Sequence, residues 1–322
     1  MPTPDAGRTP WTDAKVVAGI IATLTIPAIL TLRAVRVPQV VVPIENNPSP
    51  LGYTRSLSLF IIPVAVLAWW FLRHPAYRFQ RRAFWITLGG LLPLGFGLDI
   101  LFGHSFFTFE NRAATLGVAI PVVGGSVPIE EFLFYVSGFL TMLLIYIWCD
   151  EYWLGAYRVP DYRAETVGID RVLRFHLPSL LTGLALAVAG IVYKRYFSGT
   201  SGALPGYFLF LLAAALVPNM FLFPTALPFI NWRALGFTYF LMQLVSLLWE
   251  ATLAAPYRWW NYRGEQMLGP TIGAWTDLPI EAVVVWMASV YSTVIVYEMV
   301  KIFLALELPL RDALFGKRVV KP

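Results

Sequence analysis

Eight apolar runs divide this chain, at about 16–32, 56–72, 83–103, 128–148, 175–194, 206–224, 234–255 and 278–304. Each is rich in Leu, Val, Ile, Phe and Ala, and each is long enough to cross the ~30 Å hydrocarbon core of a bilayer as a helix. Breakers and charges separate them, such as Asn46 to Pro50 after the first and Arg78, Arg81 and Arg82 after the second. Without water, a spanning segment must satisfy its own backbone polar groups, so runs of this length fold as helices. Hydrophobic residues make up 58% of the chain and charged residues 13%. A soluble domain carries about 25% charged residues, so there is too little charge here to coat a water-facing surface. The chain reads as an all-α polytopic membrane protein of about eight transmembrane helices, and soluble-enzyme, disordered and nucleic-acid-binding readings fall. The net charge of +5 needs no nucleic acid, because Lys and Arg collect on the cytoplasmic side of membrane proteins. A single cysteine, Cys149, excludes an internal disulfide and a cysteine metal cluster.

The first run is followed by Arg33 and Arg36 and by no small-residue cleavage site. It therefore reads as a signal anchor or a plain first helix rather than a cleaved leader. With eight crossings, one side holds the N-terminus, the loops near 73–82, 149–174 and 225–233, and the C-terminus. Fifteen Lys and Arg fall on that side and eight on the other. The expectation is a multi-pass protein of the cytoplasmic membrane with both termini in the cytoplasm.

A shift of 151 positions lays the chain on itself. Pro128-Ile129-Glu130 falls on Pro279-Ile280-Glu281, Asp99 on Glu250, Phe109 on Trp260, Arg112 on Arg263 and Tyr135 on Trp286. In each half an acid near the end of one span lies 31 positions before the acid that starts the next. The offset contains an even number of crossings, so the pattern predicts two parallel three-helix repeats about an axis along the membrane normal. The expected organisation is an extra N-terminal helix and loop (1–55), a first repeat (56–148), a basic loop and linking helix (149–205), a second repeat (206–304) and a basic tail (305–322).

Charged side chains inside spans cost about 2.5–3.5 kcal/mol each on insertion scales and usually face an internal cavity. Asp99, Glu130, Glu131, Glu250 and Glu281 all sit in or at the ends of strongly apolar segments, at one level on one side of the membrane. Apolar surroundings disfavour the charged form of a carboxyl group. Such a group holds its proton near neutral pH and can act as a general acid, while an ionised neighbour steadies a cation or takes a proton back. A structural reading competes. Ser126-Val127-Pro128-Ile129-Glu130 and Asp277-Leu278-Pro279-Ile280-Glu281 both read as helix starts, with Ser or Asp as cap, Pro in the first turn and Glu at the positive dipole end. Asp99 and Glu250 would on that reading bond at helix ends, to Arg112 or Arg263.

Between the acids of each half lies an aromatic loop: Phe106-Phe107-Thr108-Phe109-Glu110-Asn111-Arg112 in the first, Tyr257-Arg258-Trp259-Trp260-Asn261-Tyr262-Arg263 in the second. Aromatic residues at a membrane edge commonly form an interfacial belt. Beside a proton donor, their faces also stabilise a carbocation. Phe109, Tyr135, Trp249, Trp260, Tyr262 and Trp286 are the candidate wall, with Pro128, Pro279, Arg112 and Arg263 as structural supports.

The segment Val127-Pro128-Ile129-Glu130-Glu131-Phe132-Leu133-Phe134-Tyr135 resembles the signature of the small integral-membrane lycopene cyclases. These occur as two-subunit bacterial enzymes, as fused archaeal chains and as the cyclase part of fused fungal enzymes. The resemblance covers about 56–304. It is weaker in the second half, where the motif reads Pro279-Ile280-Glu281-Ala282 and the second Glu is replaced. It implies a lycopene beta-cyclase-like isomerase without a cofactor. A terminal double bond of a membrane-dissolved polyene is protonated, a six-membered ring closes and a neighbouring proton is lost. Glu130 is then expected to be the principal acid, with Glu131 tuning it or serving as base, and Asp99, Glu250 and Glu281 lining the same cavity. The implied partners are the lipophilic polyene and other carotenoid enzymes.

Other classes fit less well. Another membrane enzyme modifying carotenoids or terpenoids shares these features. A proton-coupled transporter would carry its acids nearer the midplane. A retinal photoreceptor needs a mid-span lysine, and Lys15, Lys194, Lys301, Lys317 and Lys321 lie elsewhere. A non-catalytic partner of a carotenoid enzyme would suit the altered second motif. No Gly-x-Gly-x-x-Gly follows a strand and no Asp-Asp-x-x-Asp occurs. His74, His104 and His176 are scattered, so no metal site is expected.

Overall fold

The computed structural model describes residues 49–74, 79–198, 204–272 and 278–316, together with Ala22 and Ile26. The first expected span, 16–32, lies outside the described residues apart from those two. Nine α-helices occur among the described residues: α1 (Gly52–Arg73), α2 (Arg81–Phe106), α3 (Ile129–Trp148), α4 (Tyr162–Thr166), α5 (Leu177–Tyr196), α6 (Gly206–Ala226), α7 (Trp232–Trp249), α8 (Glu281–Leu306) and α9 (Leu310–Phe315). All but α4 and α9 are long and apolar enough to cross a membrane, and they match the second to eighth expected spans. α3 and α7 run on through π-helical turns at Cys149–Trp153 and Glu250–Ala254. Pro63, Pro93, Pro218 and Pro224 lie inside spanning helices, where neighbouring helices compensate the lost backbone bond.

Helix contacts recur in pairs. α1 packs on α3 as α6 packs on α8, α2 on α3 as α7 on α8, and α2 on α8 as α3 on α7. A two-fold relation between α1–α3 and α6–α8 requires this set. α3 and α8 meet at the axis, where Thr293 Oγ1 lies 3.5 Å from Met142 Sδ, its own equivalent at the 151-residue offset. α5 packs on α6 at the edge. The buried core runs between the halves, with Leu143, Tyr146, Ile147 and Trp148 of α3 against Phe71, Phe84, Val294 and Ile295. Outward faces carry exposed apolar residues, Ile62, Trp69, Trp85, Val188 and Phe240 among them. This is the surface that lipid covers.

The long loops at the acid end are built alike. In the first half β2 (Ala119–Val122) and β3 (Gly125–Pro128) form a hairpin with Ala119 opposite Pro128. Gly124 holds a φ of 84° in its two-residue turn, a conformation that side chains resist. In the second half, among the described residues, a bridge joins Thr271 to Pro279. The entry bond recurs too: Ile129 N donates to Val118 O and Ile280 N to Pro270 O, both at 2.9 Å. The expected cap is not what starts α3. Ser126 lies in β3, and Pro128 occupies the N-cap position in extended backbone with no side-chain bond. The hairpin itself delivers the chain to the helix. Asp277, the matching cap in the second half, lies outside the described residues.

Candidate active site

The two aromatic loops pair across the axis. Phe107 and Thr108 (β1) run antiparallel to Tyr262 and Asn261 (β4). Arg263 N donates to Phe106 O at 2.9 Å and Asn111 N to Arg258 O at 3.2 Å. These bonds join the loops that follow α2 and α7, the helices that carry Asp99 and lead into Glu250.

The five acids fall into two kinds. Glu130 and Glu281, each fully buried at its helix start, are loop ties. Glu130 Oε1 accepts from Leu116 N at 2.7 Å and from Thr54 Oγ1 at 2.5 Å. Glu281 Oε1 accepts from Leu268 N at 2.6 Å. In both, the second oxygen is buried without a partner among the described residues. Asp99, Glu131 and Glu250 are the other kind. Asp99 Oδ1 lies 3.4 Å from the Tyr135 hydroxyl, and its Oδ2 is buried and unpartnered. Glu250 accepts from Trp286 Nε1 at 3.0 Å and from the Tyr262 hydroxyl at 2.7 Å. The Tyr135–Asp99 and Trp286–Glu250 contacts are equivalents at the 151-residue offset. Glu131 accepts from the Tyr53 hydroxyl at 2.6 Å. It is partly exposed, whereas its neighbour Glu130 is not. Glu250 opens a π-helical turn, a distortion that frequents functional sites.

Among the described residues no arginine holds the upstream acids. Arg263 instead donates from Nε to His104 O at 2.9 Å, with Nη2 3.3 Å from the His104 ring, and the Arg112 side chain is exposed. Aromatic donors from α3, α8 and β4 take that place. Burial and the adjacent Glu250 carboxyl hold the Tyr262 phenol well above its ordinary range, so it stays a donor.

Trp249 is the centre of the aromatic wall. Its ring lies 4.9 Å from Trp260, 6.0 Å from Tyr53, 5.7 Å from Phe60 and 5.6 Å from Phe134. Its Nε1 donates to Ser56 Oγ at 2.5 Å. Phe134 also meets Trp286 edge-on at 5.6 Å, and Phe109 packs against the same cluster. Rings from both halves thus surround Tyr53, the donor to Glu131. Sequence reasoning missed Tyr53, Thr54, Ser56 and Tyr207. A Gly-Tyr pair that opens both α1 and α6 is the signal that would have found two of them.

Cavities of about 300 and 390 Å³ open at the other end of the bundle, lined by Tyr157, Arg158, Phe229, Tyr162 and Lys301. Glu131 is roughly 30 Å from that end along α3, so these cavities are no part of the acid cluster. Among the described residues no three His, Cys, Asp or Glu side chains are grouped to hold a metal ion.

Comparison with curated proteins and with solved structures gave no match. A family model described as Lycopene cyclase matches residues 52–149 and 205–300, more than half of the chain. The two stretches begin at the first turns of α1 and α6 and end in α3 and α8, so one motif is matched in each half. This multi-pass membrane protein, with its paired helix units and the acids between them, belongs to the lycopene cyclase family.

Proposed function

We propose that this protein closes a β-type ring on lycopene by proton transfer, with no net redox change. The Glu131 carboxyl adds its proton to the terminal double bond, leaving a carboxylate and a tertiary cation. The next double bond within reach attacks that cation, forming the ring C–C bond and a new tertiary cation in the ring. A proton leaves the adjacent carbon to a carboxylate of Asp99 or Glu250, restoring a double bond. The product has the formula of the substrate, and a proton passed back to Glu131 resets the site.

The observation that carries this reading is that Tyr53, whose hydroxyl donates to Glu131 at 2.6 Å, stands against Trp249 and Trp260 of the other half, while Glu250 follows Trp249 in the chain and Asp99 faces Tyr135, one turn beyond Glu131. Aromatic faces attract a cation by roughly 0.5–2 kcal/mol each, and a dry wall keeps water from quenching it. Glu131 is preferred over Glu130 as donor because Glu130 Oε1 is occupied by Leu116 N and Thr54. Glu130 and Glu281 shape the loops that close the site, and Pro128 and Pro279 set the turns into it. Both halves then act as cyclase repeats around one centre, in the cytoplasmic membrane with both termini in the cytoplasm.

The test is expression in a lycopene-accumulating bacterium, followed by pigment chromatography. The expected result is a ring-bearing carotenoid with the wild-type chain, a loss of at least about 100-fold for Glu131→Gln, and retained turnover for Glu130→Gln. Unchanged lycopene, with the wild-type protein confirmed in the membrane, would overturn the reading.

A further inference from the structure

The two halves of the site share a helix-opening tyrosine and differ in the acid that it would meet. α1 and α6 both open with Gly-Tyr, Gly52-Tyr53 and Gly206-Tyr207, and α1 lies on α3 as α6 lies on α8. Both tyrosines are buried, Tyr53 fully and Tyr207 to 3% exposure. The Tyr53 hydroxyl donates to Glu131 at 2.6 Å. The residue equivalent to Glu131 at the 151-residue offset is Ala282, fully buried in the first turn of α8. The Tyr207 hydroxyl accordingly makes no side-chain hydrogen bond among the described residues. Its ring is nevertheless fixed, 4.9 Å from Phe106, 5.2 Å from Phe107 and 6.1 Å from Tyr262.

We infer that the site is one-sided: the first half supplies a tyrosine–carboxylate pair that gives the proton, and the second presents Tyr207 without its acid, as the wall on which the hydrocarbon end group rests. The inference builds on the Glu131 reading above. It has a consequence for a polyene with two like ends. Both ends must visit the same acid, so each binding event closes one ring. A second closure requires the singly closed molecule to leave and return with its other end first.

Two experiments on the full chain in membrane vesicles with lycopene test this. In the first, labelled lycopene is bound and then chased with excess unlabelled lycopene. The expected products are singly closed, with any doubly closed label suppressed by the chase. Doubly closed label formed from the start and insensitive to the chase would overturn the inference. In the second, Ala282→Glu is added to Glu131→Gln, which rebuilds the missing pair on the other side. Turnover should recover at least about tenfold above Glu131→Gln alone, and Tyr207→Phe should abolish that recovery. A double variant present in the membrane at wild-type level with no recovery would also overturn the inference. The chase needs no variant, so it decides the matter if Ala282→Glu does not fold. Wild-type turnover by Glu131→Gln would instead sink the parent reading, whatever the chase shows.

Discussion

Lys301 reaches across the axis between the halves to Asp150, its own equivalent at the 151-residue offset, with Nζ 3.1 Å from Oδ2. The same ammonium lies 3.0 Å from Glu298 Oε1 and 4.4 Å from the centre of the Tyr162 ring. The Tyr146 hydroxyl donates to Glu298 Oε1 at 2.9 Å, and the Tyr162 hydroxyl donates to Oε2. All three charged side chains are essentially inaccessible. One cation thus holds two acids that are buried together at the end of the bundle away from the candidate site. In a dry interior, removing one partner leaves an uncompensated charge.

Lys301→Met removes the cation and leaves the two acids facing each other, so its expected cost is about 3–5 kcal/mol. Asp150→Asn leaves Lys301 paired with Glu298 and should cost less. Thermal unfolding in detergent checks the order of the two. A smaller shift for Lys301→Met than for Asp150→Asn would show that the ammonium does not organise this cluster. Turnover per folded molecule should be unchanged in both, because the acid cluster lies roughly 30 Å away along α3.

Glu130 and Glu281 tie the backbone of the preceding loops, and an amide oxygen can accept the same N–H bond. Glu130→Gln and Glu281→Gln should therefore cost under about 1 kcal/mol, while the alanine variants lose the acceptor and cost about 1–3 kcal/mol. Hydrogen exchange at the Leu116 and Leu268 amides separates these cases. Exchange should speed up in the alanine variants and stay slow in the glutamines. Fast exchange in both kinds would mean that the carboxylate charge, not its geometry, holds the loop.

Much of this architecture is written in one-dimensional patterns. Apolar runs set the spans because a helix is what a bilayer permits, and the 151-residue offset marks the halves because duplicated units keep their spacing. The offset even pairs Met142 with Thr293 and Asp150 with Lys301, contacts that arise only where equivalents face each other at an axis. The acids were visible because charge is conspicuous in an apolar run. Their division into two that tie loop backbone and three that meet aromatic side chains was not, since Glu130 and Glu131 are adjacent and differ only in the direction their side chains take. The partners of Asp99 and Glu250 were missed for a related reason. Arg112 and Arg263 attract attention by charge, whereas the actual donors, Tyr135, Trp286 and Tyr262, look like membrane-edge aromatics. Tyr53 and Tyr207 begin their helices far from the acids in sequence, and only helix packing brings them in.

Trp249 separates packing from chemistry. Its ring is 3% exposed and central to the wall, and its N–H is held by Ser56. Ser56→Ala leaves that N–H buried without its acceptor, at an expected cost of about 1–3 kcal/mol, but keeps the aromatic face. Trp249→Leu keeps an apolar side chain and removes the face. If the wall steadies a cation, its contribution is realised in the transition state rather than in substrate binding. Trp249→Leu should then lower kcat about tenfold with KM little changed, in line with one lost cation–π contact. Ser56→Ala should leave kcat per folded molecule near wild type although it destabilises the chain. Both variants can be compared in vesicles at matched protein levels, with lycopene loss followed by chromatography. Equal falls in kcat would assign Trp249 to packing alone.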